Sequence, residues 1–344
     1  MPNETCFLIF ALGGVGKRGA MTAIQMLRNI GLGDRFRSIY IDTDSGEFKN
    51  HRELKKYFDF LVPISLDPAK VETLISTPKS FGPSVEMIVK KYGGTLVNKD
   101  EAEAGAKTIR MMTVLGFAYY YPAILQVIYK ATCQLLEQGR ARHVIPVLVS
   151  SSGGGTGSAS SCLVAWTLSN PAIRPKIAYG LDPHVYKPST VFLAEPFAQA
   201  SFHQESQRNK ILANGLATSM ELEAIAQFYR RIAVIFHLSL SNGDGVILSK
   251  MSDIDEVLGK TIMQYICCYE EINSRWADTY YTRVASDRYT GTDVGKFGFS
   301  IPFEHDFVDT NFFTGSSSDP NTDNGSDQDD EDDDDDFGEG IKSR

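Results

Sequence analysis

Two glycine-rich turns, each set between an apolar run and the start of a helical pattern, limit what this chain can fold into more than any other feature. The first, Gly13-Gly14-Val15-Gly16, follows Cys6-Phe7-Leu8-Ile9-Phe10. The second, Gly153-Gly154-Gly155-Thr156-Gly157-Ser158, follows Val144-Ile145-Pro146-Val147-Leu148-Val149 and three serines. Short apolar runs that end at glycine have the profile of strands buried on both faces. After the first turn, Ala20, Ile24, Leu27 and Ile30 keep a helical period until Gly31 and Gly33 stop it. An apolar helix over residues 159–168 follows the second. At such a junction bare backbone N–H groups and the positive end of a helix face an anion, and the missing β-carbons let the chain approach phosphate oxygens. One turn of this kind alone is equally a tight strand-to-helix connection. Two in one chain point to a phosphate-bearing ligand.

A second strand over residues 38–41 ends at Asp42-Thr43-Asp44. The resulting order, strand, glycine turn, helix, strand, predicts an α/β fold: an open, mostly parallel, Rossmann-like sheet with helices on both faces. Further along, the pattern predicts a helix over 107–138, strands near 176–180 and 190–194, and a long helix over 206–229. A strand over 232–240, a hairpin-type turn at Asn242-Gly243-Asp244-Gly245, a helix over 252–274 and one more strand at 297–301 complete the reading. Residues 46–100 carry no clear period.

Charge is unevenly spread. The net charge is −9, but twelve acidic and two basic residues lie within residues 315–344, which leaves +1 for residues 1–314. A near-neutral body predicts no footprint for direct nucleic-acid binding. The acidic segment holds too few apolar residues to order itself. The five cysteines form no CxxC pair and read as small buried hydrophobes of a reducing compartment. The start has no basic region, and the apolar run at residues 6–12 is too short for a signal core or a membrane span. The expectation is a cytoplasmic protein without membrane insertion.

Gly13-Gly14-Val15-Gly16-Lys17 approaches the P-loop pattern but fails it twice: Ala11 stands at the first glycine, and Arg18 where a magnesium-binding hydroxyl belongs. A P-loop partitioning ATPase is therefore the lesser reading. The second turn is more specific. Gly153 to Ser158 closely resembles the signature turn of the tubulin/FtsZ superfamily, and other segments follow in family order. Gly13, Gly14, Val15 and Gly16 look like the first nucleotide loop. Asp42 and Asp44 resemble the acidic loop near the γ-phosphate and its Mg2+, and Gly105 and Ala106 the loop over the terminal phosphate. Glu195 resembles the carboxylate on the ribose. Asn214 is similar to the core-helix asparagine that reads the guanine edge, a task suited to an amide that both donates and accepts.

The resemblance implies a GTP/GDP-binding GTPase that assembles head to tail into filaments for positioning DNA or a phage or plasmid cargo. It implies hydrolysis completed across the subunit contact by a carboxylate after the core helix, here Asp255 or Asp253. The compact length, the Asn-Gly turn and the acidic tail look most like the phage and plasmid tubulins. They imply a tail that contacts a neighbouring subunit or a basic adaptor. The expected organisation is a nucleotide-binding domain with the core helix at 1–229, a catalytic-loop segment with a shortened C-terminal domain at 230–314, and an acidic tail at 315–344. A tubulin-like GTP switch or scaffold that does not polymerise is the alternative within the family.

Overall fold

The computed structural model describes residues 5–92, 109–139, 141–182, 184–201, 203–238 and 250–269. The expectations at Gly105 and Ala106, at the turn 242–245, at the strand 297–301 and for the acidic tail lie outside these residues.

Six parallel strands form one sheet: β1 (Thr5–Leu12), β2 (Phe36–Asp42), β3 (Phe60–Pro63), β4 (His143–Ser151), β5 (Ser189–Ala194) and β6 (Ile232–Leu238). Their order is β3-β2-β1-β4-β5-β6. The helices are α1 (Gly13–Asn29), α2 (His51–Leu54), α3 (Pro68–Ser76), α4 (Pro83–Tyr92), α5 (Arg110–Tyr119), α6 (Tyr121–Gly139), α7 (Gly155–Ser169), α8 (Arg174–Ile177), α9 (Pro196–Ser201), α10 (Glu205–Tyr229) and α11 (Met251–Cys267).

Alternation along β1 sets the two layers, because successive side chains leave a strand on opposite faces. Phe7, Ile9 and Ala11 pack with Ala20, Ile24 and Leu27 of α1 and with Ile254, Leu258 and Ile262 of α11. Cys6, Leu8, Phe10 and Leu12 pack with Ile124 and Ile128 of α6, Val164 and Leu168 of α7 and Leu222 of α10. Every residue of β1 is buried, as a central parallel strand requires. The doubly wound α/β expectation holds.

Two local expectations do not. The helix over 107–138 is two, α5 and α6, bent by 73° at Tyr120. Pro122 lacks the N–H that a continuous helix needs, and it sits instead in the first turn of a new one. No single helix among the described residues is long and apolar enough to cross a membrane. The strand near 176–180 is replaced by the one-turn helix α8 with Pro175 in its first turn, and Gly180 has a positive φ of 74°. The long helix α10 buries Ile211, Leu222 and Ala226. It exposes Leu216, Met220 and Phe228, whereas α11 buries Ile254, Val257, Leu258, Ile262 and Ile266. Beyond Tyr229, β6 pairs with β5, and α11 covers the same face of the sheet as α1.

Candidate functional site

In an open parallel sheet, ligands bind outside the carboxyl ends of the strands where the strand order reverses. That point here lies between β1 and β4, the two strands that the glycine turns follow. The turns meet there. A β-carbon on Gly13 would stand 2.8 Å from the Gly157 nitrogen, and one on Gly157 would stand 2.9 Å from the Leu12 carbonyl oxygen. Gly13 also has a positive φ of 73°. A β-carbon on Gly16 would lie 2.3 Å from the Val149 carbonyl oxygen, so this glycine lets α1 cross the end of β4.

Gly14 and Gly154 differ. Among the described residues, a β-carbon on Gly14 meets only the tip of Arg18 at 3.7 Å, and one on Gly154 only the Ser151 hydroxyl at 4.0 Å. Neither has a positive φ. Packing and backbone conformation therefore do not require glycine at these positions, whereas a ligand lying against the backbone does. Both helices that start here, α1 and α7, lack a side-chain cap and an acidic residue in their first turn. Two helix N-termini with uncapped N–H groups thus converge on one place, and the residues present fit a polyphosphate.

The second turn is braced by long-range contacts. The Ser151 hydroxyl accepts from the N–H groups of Gly153 and Gly154, at 3.1 and 3.3 Å, and donates to the carbonyl oxygen of buried Gln199 in α9. The Asn214 amide of α10 donates to the Gly153 carbonyl at 2.9 Å. Thr218 donates to the Ser152 carbonyl and Thr113 to the Gly155 carbonyl, each at 3.2 Å. Ser158 donates to the Gly154 carbonyl one turn back in α7. Asn214 thus meets the signature turn itself, with one of its two amide hydrogens on that turn's backbone. Gln199, Thr113 and Thr218 are site-supporting residues that no local sequence signal marks.

Asp42 lies at the end of β2 beside the same turn. One of its oxygens accepts from Thr43 N–H at 2.7 Å, Asp44 N–H at 3.2 Å and the Thr156 hydroxyl at 3.2 Å, and the other from the Tyr40 hydroxyl at 2.8 Å. The Thr43 and Thr156 hydroxyls lie 2.6 Å apart. Burial pushes the Asp42 carboxyl up to about 6, against the Tyr40 and backbone hydrogen bonds that lower it. Asp44 accepts from Gly46 N–H at 2.7 Å. Glu195 follows β5, and its carboxylate is 3.9 Å from His237 of β6. Burial pushes His237 down to about 4, so at neutral pH this is a neutral imidazole beside a carboxylate.

Lys17 pairs with Glu47, and Arg18 with Asp255 at 2.6 Å. The lysine that a P-loop would aim at phosphate is held by a carboxylate instead. Asp255 belongs to the first turns of α11, and Asp253 accepts from Lys250 N–H at 3.0 Å to cap the same helix. Because α11 runs alongside α1 from the carboxyl edge of the sheet, both carboxylates stand at the edge that carries the glycine turns. Asp255 is buried against its own Arg18.

The fold and site define a class: an open parallel α/β protein with paired glycine-rich turns at its switch point. No protein-family model and no curated protein matches the chain. Among solved structures it is similar to CetZ2 from Haloferax volcanii, described as a GTPγS-bound protofilament, with 12% identity over 77% of this chain and a TM-score of 0.45. The match spans 59% of that protein's length. Among the described residues no group of three or more His, Cys, Asp or Glu could hold a metal ion.

Proposed function

We propose that this protein binds a guanine nucleotide by its polyphosphate at the two glycine turns and assembles head to tail into filaments. The observation that carries the proposal is the meeting of two uncapped helix N-termini at the β1/β4 switch point, with Gly14 and Gly154 bare toward the crevice. The guanine base and the filament rest on the resemblance of residues 153–158 to the tubulin/FtsZ signature.

In this reading Gly13, Gly14, Val15, Gly16 and residues 153–158 supply backbone donors, with Gly105 and Ala106 closing over the phosphates. Asp42 holds Thr156 in place, and Glu195 is the carboxylate assigned to the ribose. Asn214 holds the turn through Gly153, and reading of the base by its carbonyl oxygen is the further part of its proposed role. Mg2+ bound with the nucleotide would neutralise phosphate charge and take most of its ligands from phosphate and water, with Asp44 as the carboxylate beside it. Turnover of GTP belongs to the same proposal, with Asp255 or Asp253 as the carboxylate that orients water for the next subunit.

Light scattering and negative-stain microscopy with GTP, GDP and ATP in parallel test the proposal. The expected result is scattering and filaments with GTP above a threshold protein concentration, with turnover per subunit rising alongside. An equal response to ATP would contradict the nucleotide assignment, and flat turnover without filaments would contradict assembly.

A further inference from the structure

The near-neutral charge of residues 1–314 conceals an uneven distribution. All six strands are parallel, so their amino ends share one edge, opposite the glycine turns. Arg142 immediately precedes β4, Lys187 stands two residues before β5, and Arg230 and Arg231 lead into β6. Pairing brings them together: Lys187 N–H donates to the Val144 carbonyl at 2.9 Å and Ser189 N–H to the Arg231 carbonyl at 2.8 Å. Arg174 and Lys176 of α8 join them, since Tyr186 donates to the Ile177 carbonyl at 3.1 Å. Burial and then the nearby Arg174 charge lower the Arg231 pKa, which places the two guanidinium groups within electrostatic reach. Among the described residues Arg231 donates to the Tyr186 carbonyl, a partner without charge. Among the described residues the carboxylates on the elements around this edge are Asp34, Asp59, Glu137 and Asp182, fewer than the cations. Helix C-termini account for part of such a bias, because their negative ends favour cations. They do not account for Arg142 and Lys187, which precede strands.

The described chain leaves from this same edge. Tyr269 packs edge-on against Phe7, near the start of β1, with ring centroids 5.5 Å apart. Beyond it follow 75 residues, with the acidic run near their end. We propose that the acidic segment 319–339 docks, within its own chain, on the basic amino edge formed by Arg142, Arg174, Lys176, Lys187, Arg230 and Arg231. Opposite charge supplies the attraction, and attachment to the same chain raises the local concentration of the tail far above that of a second copy.

Lysine acylation of the full-length protein, read by mass spectrometry without nucleotide, tests this independently of any filament. Lys176 and Lys187 report on the edge, and exposed Lys49, after the carboxyl end of β2, is the control. In low salt, Lys176 and Lys187 should react about threefold or more slowly than in a full-length variant with Asp329, Asp330 and Asp332 to Asp336 changed to Asn. High salt should erase the difference, and tenfold dilution should leave it unchanged. Equal labelling in the two proteins would overturn the proposal. Protection that vanishes on dilution would also overturn it, assigning the contact to a second copy. Protection that appears only on adding a single-stranded oligonucleotide would overturn it in favour of a nucleic-acid surface.

Discussion

Gly13 and Gly157 touch, while Gly14 and Gly154 stand open, and this contrast separates stability from binding within one site. Replacing Gly157 with Ala forces a β-carbon to 2.9 Å from the Leu12 carbonyl oxygen and 3.1 Å from that of Ser151, both backbone atoms that cannot move alone. We expect Gly157→Ala to lower stability by about 1–3 kcal/mol, in the range of overpacking, and this can be read by thermal or urea unfolding. Gly14→Ala removes backbone entropy within α1 and meets no clash, so stability should hold or rise by up to about 1 kcal/mol. Nucleotide affinity should fall in the same variant, because the new methyl group occupies the ligand side. If Gly14→Ala bound GTP like the wild type, the backbone cradle would be misplaced.

Asp42 gives a pH signature. Its folded pKa, about 6, lies above the ordinary aspartate value of about 4, so the folded form keeps a proton that the unfolded chain has lost. The stabilisation is fully present below about pH 4 and fades as pH rises through about 6, a change on the order of 2–3 kcal/mol. Unfolding midpoints of the wild type and Asp42→Asn across this window measure it. The variant should show a flatter profile, and identical slopes would remove Asp42 as the cause.

At the scale of elements, α11 is held to α1 by close approach and by one ion pair. A β-carbon on Gly259 would lie 2.5 Å from the Thr22 side chain, and Asp255 meets Arg18 across the same seam. Asp255→Ala leaves the Arg18 guanidinium half-buried without that carboxylate. It should cost about 1–3 kcal/mol of stability, as for a hydrogen bond to a charged group, while nucleotide binding survives. Loss of nucleotide binding without loss of stability would put Asp255 in the site itself.

This seam also shows what the chain's pattern discloses. The glycine turns were legible because glycine at a strand–helix junction has few other uses, and β1, β4 and β5 because continuous apolar runs are rare outside buried strands. The packing of α11 on α1 was not legible, since it rests on Gly19 and Gly259 each lying against a side chain of the other helix, Leu258 and Thr22. β3 has four residues and no room for a period. The braces from Asn214, Thr113 and Gln199 join residues 42 to 61 positions apart in sequence, where no local pattern reaches.

Across the whole molecule, the parallel sheet divides its two edges by task. The carboxyl edge presents the N-termini of α1 and α7 with a bare backbone, and the amino edge gathers arginine and lysine. Net charge alone could not reveal this separation, because composition carries no direction and the strand polarity does. The central claim is that one polyphosphate lies between the two glycine turns. A cryo-EM or crystal structure with a slowly hydrolysed GTP analogue tests it most directly. The account predicts phosphate density within hydrogen-bonding distance of the N–H groups of both residues 14–16 and residues 154–157. Density bound elsewhere, or touching one turn while the other stays remote, would contradict it.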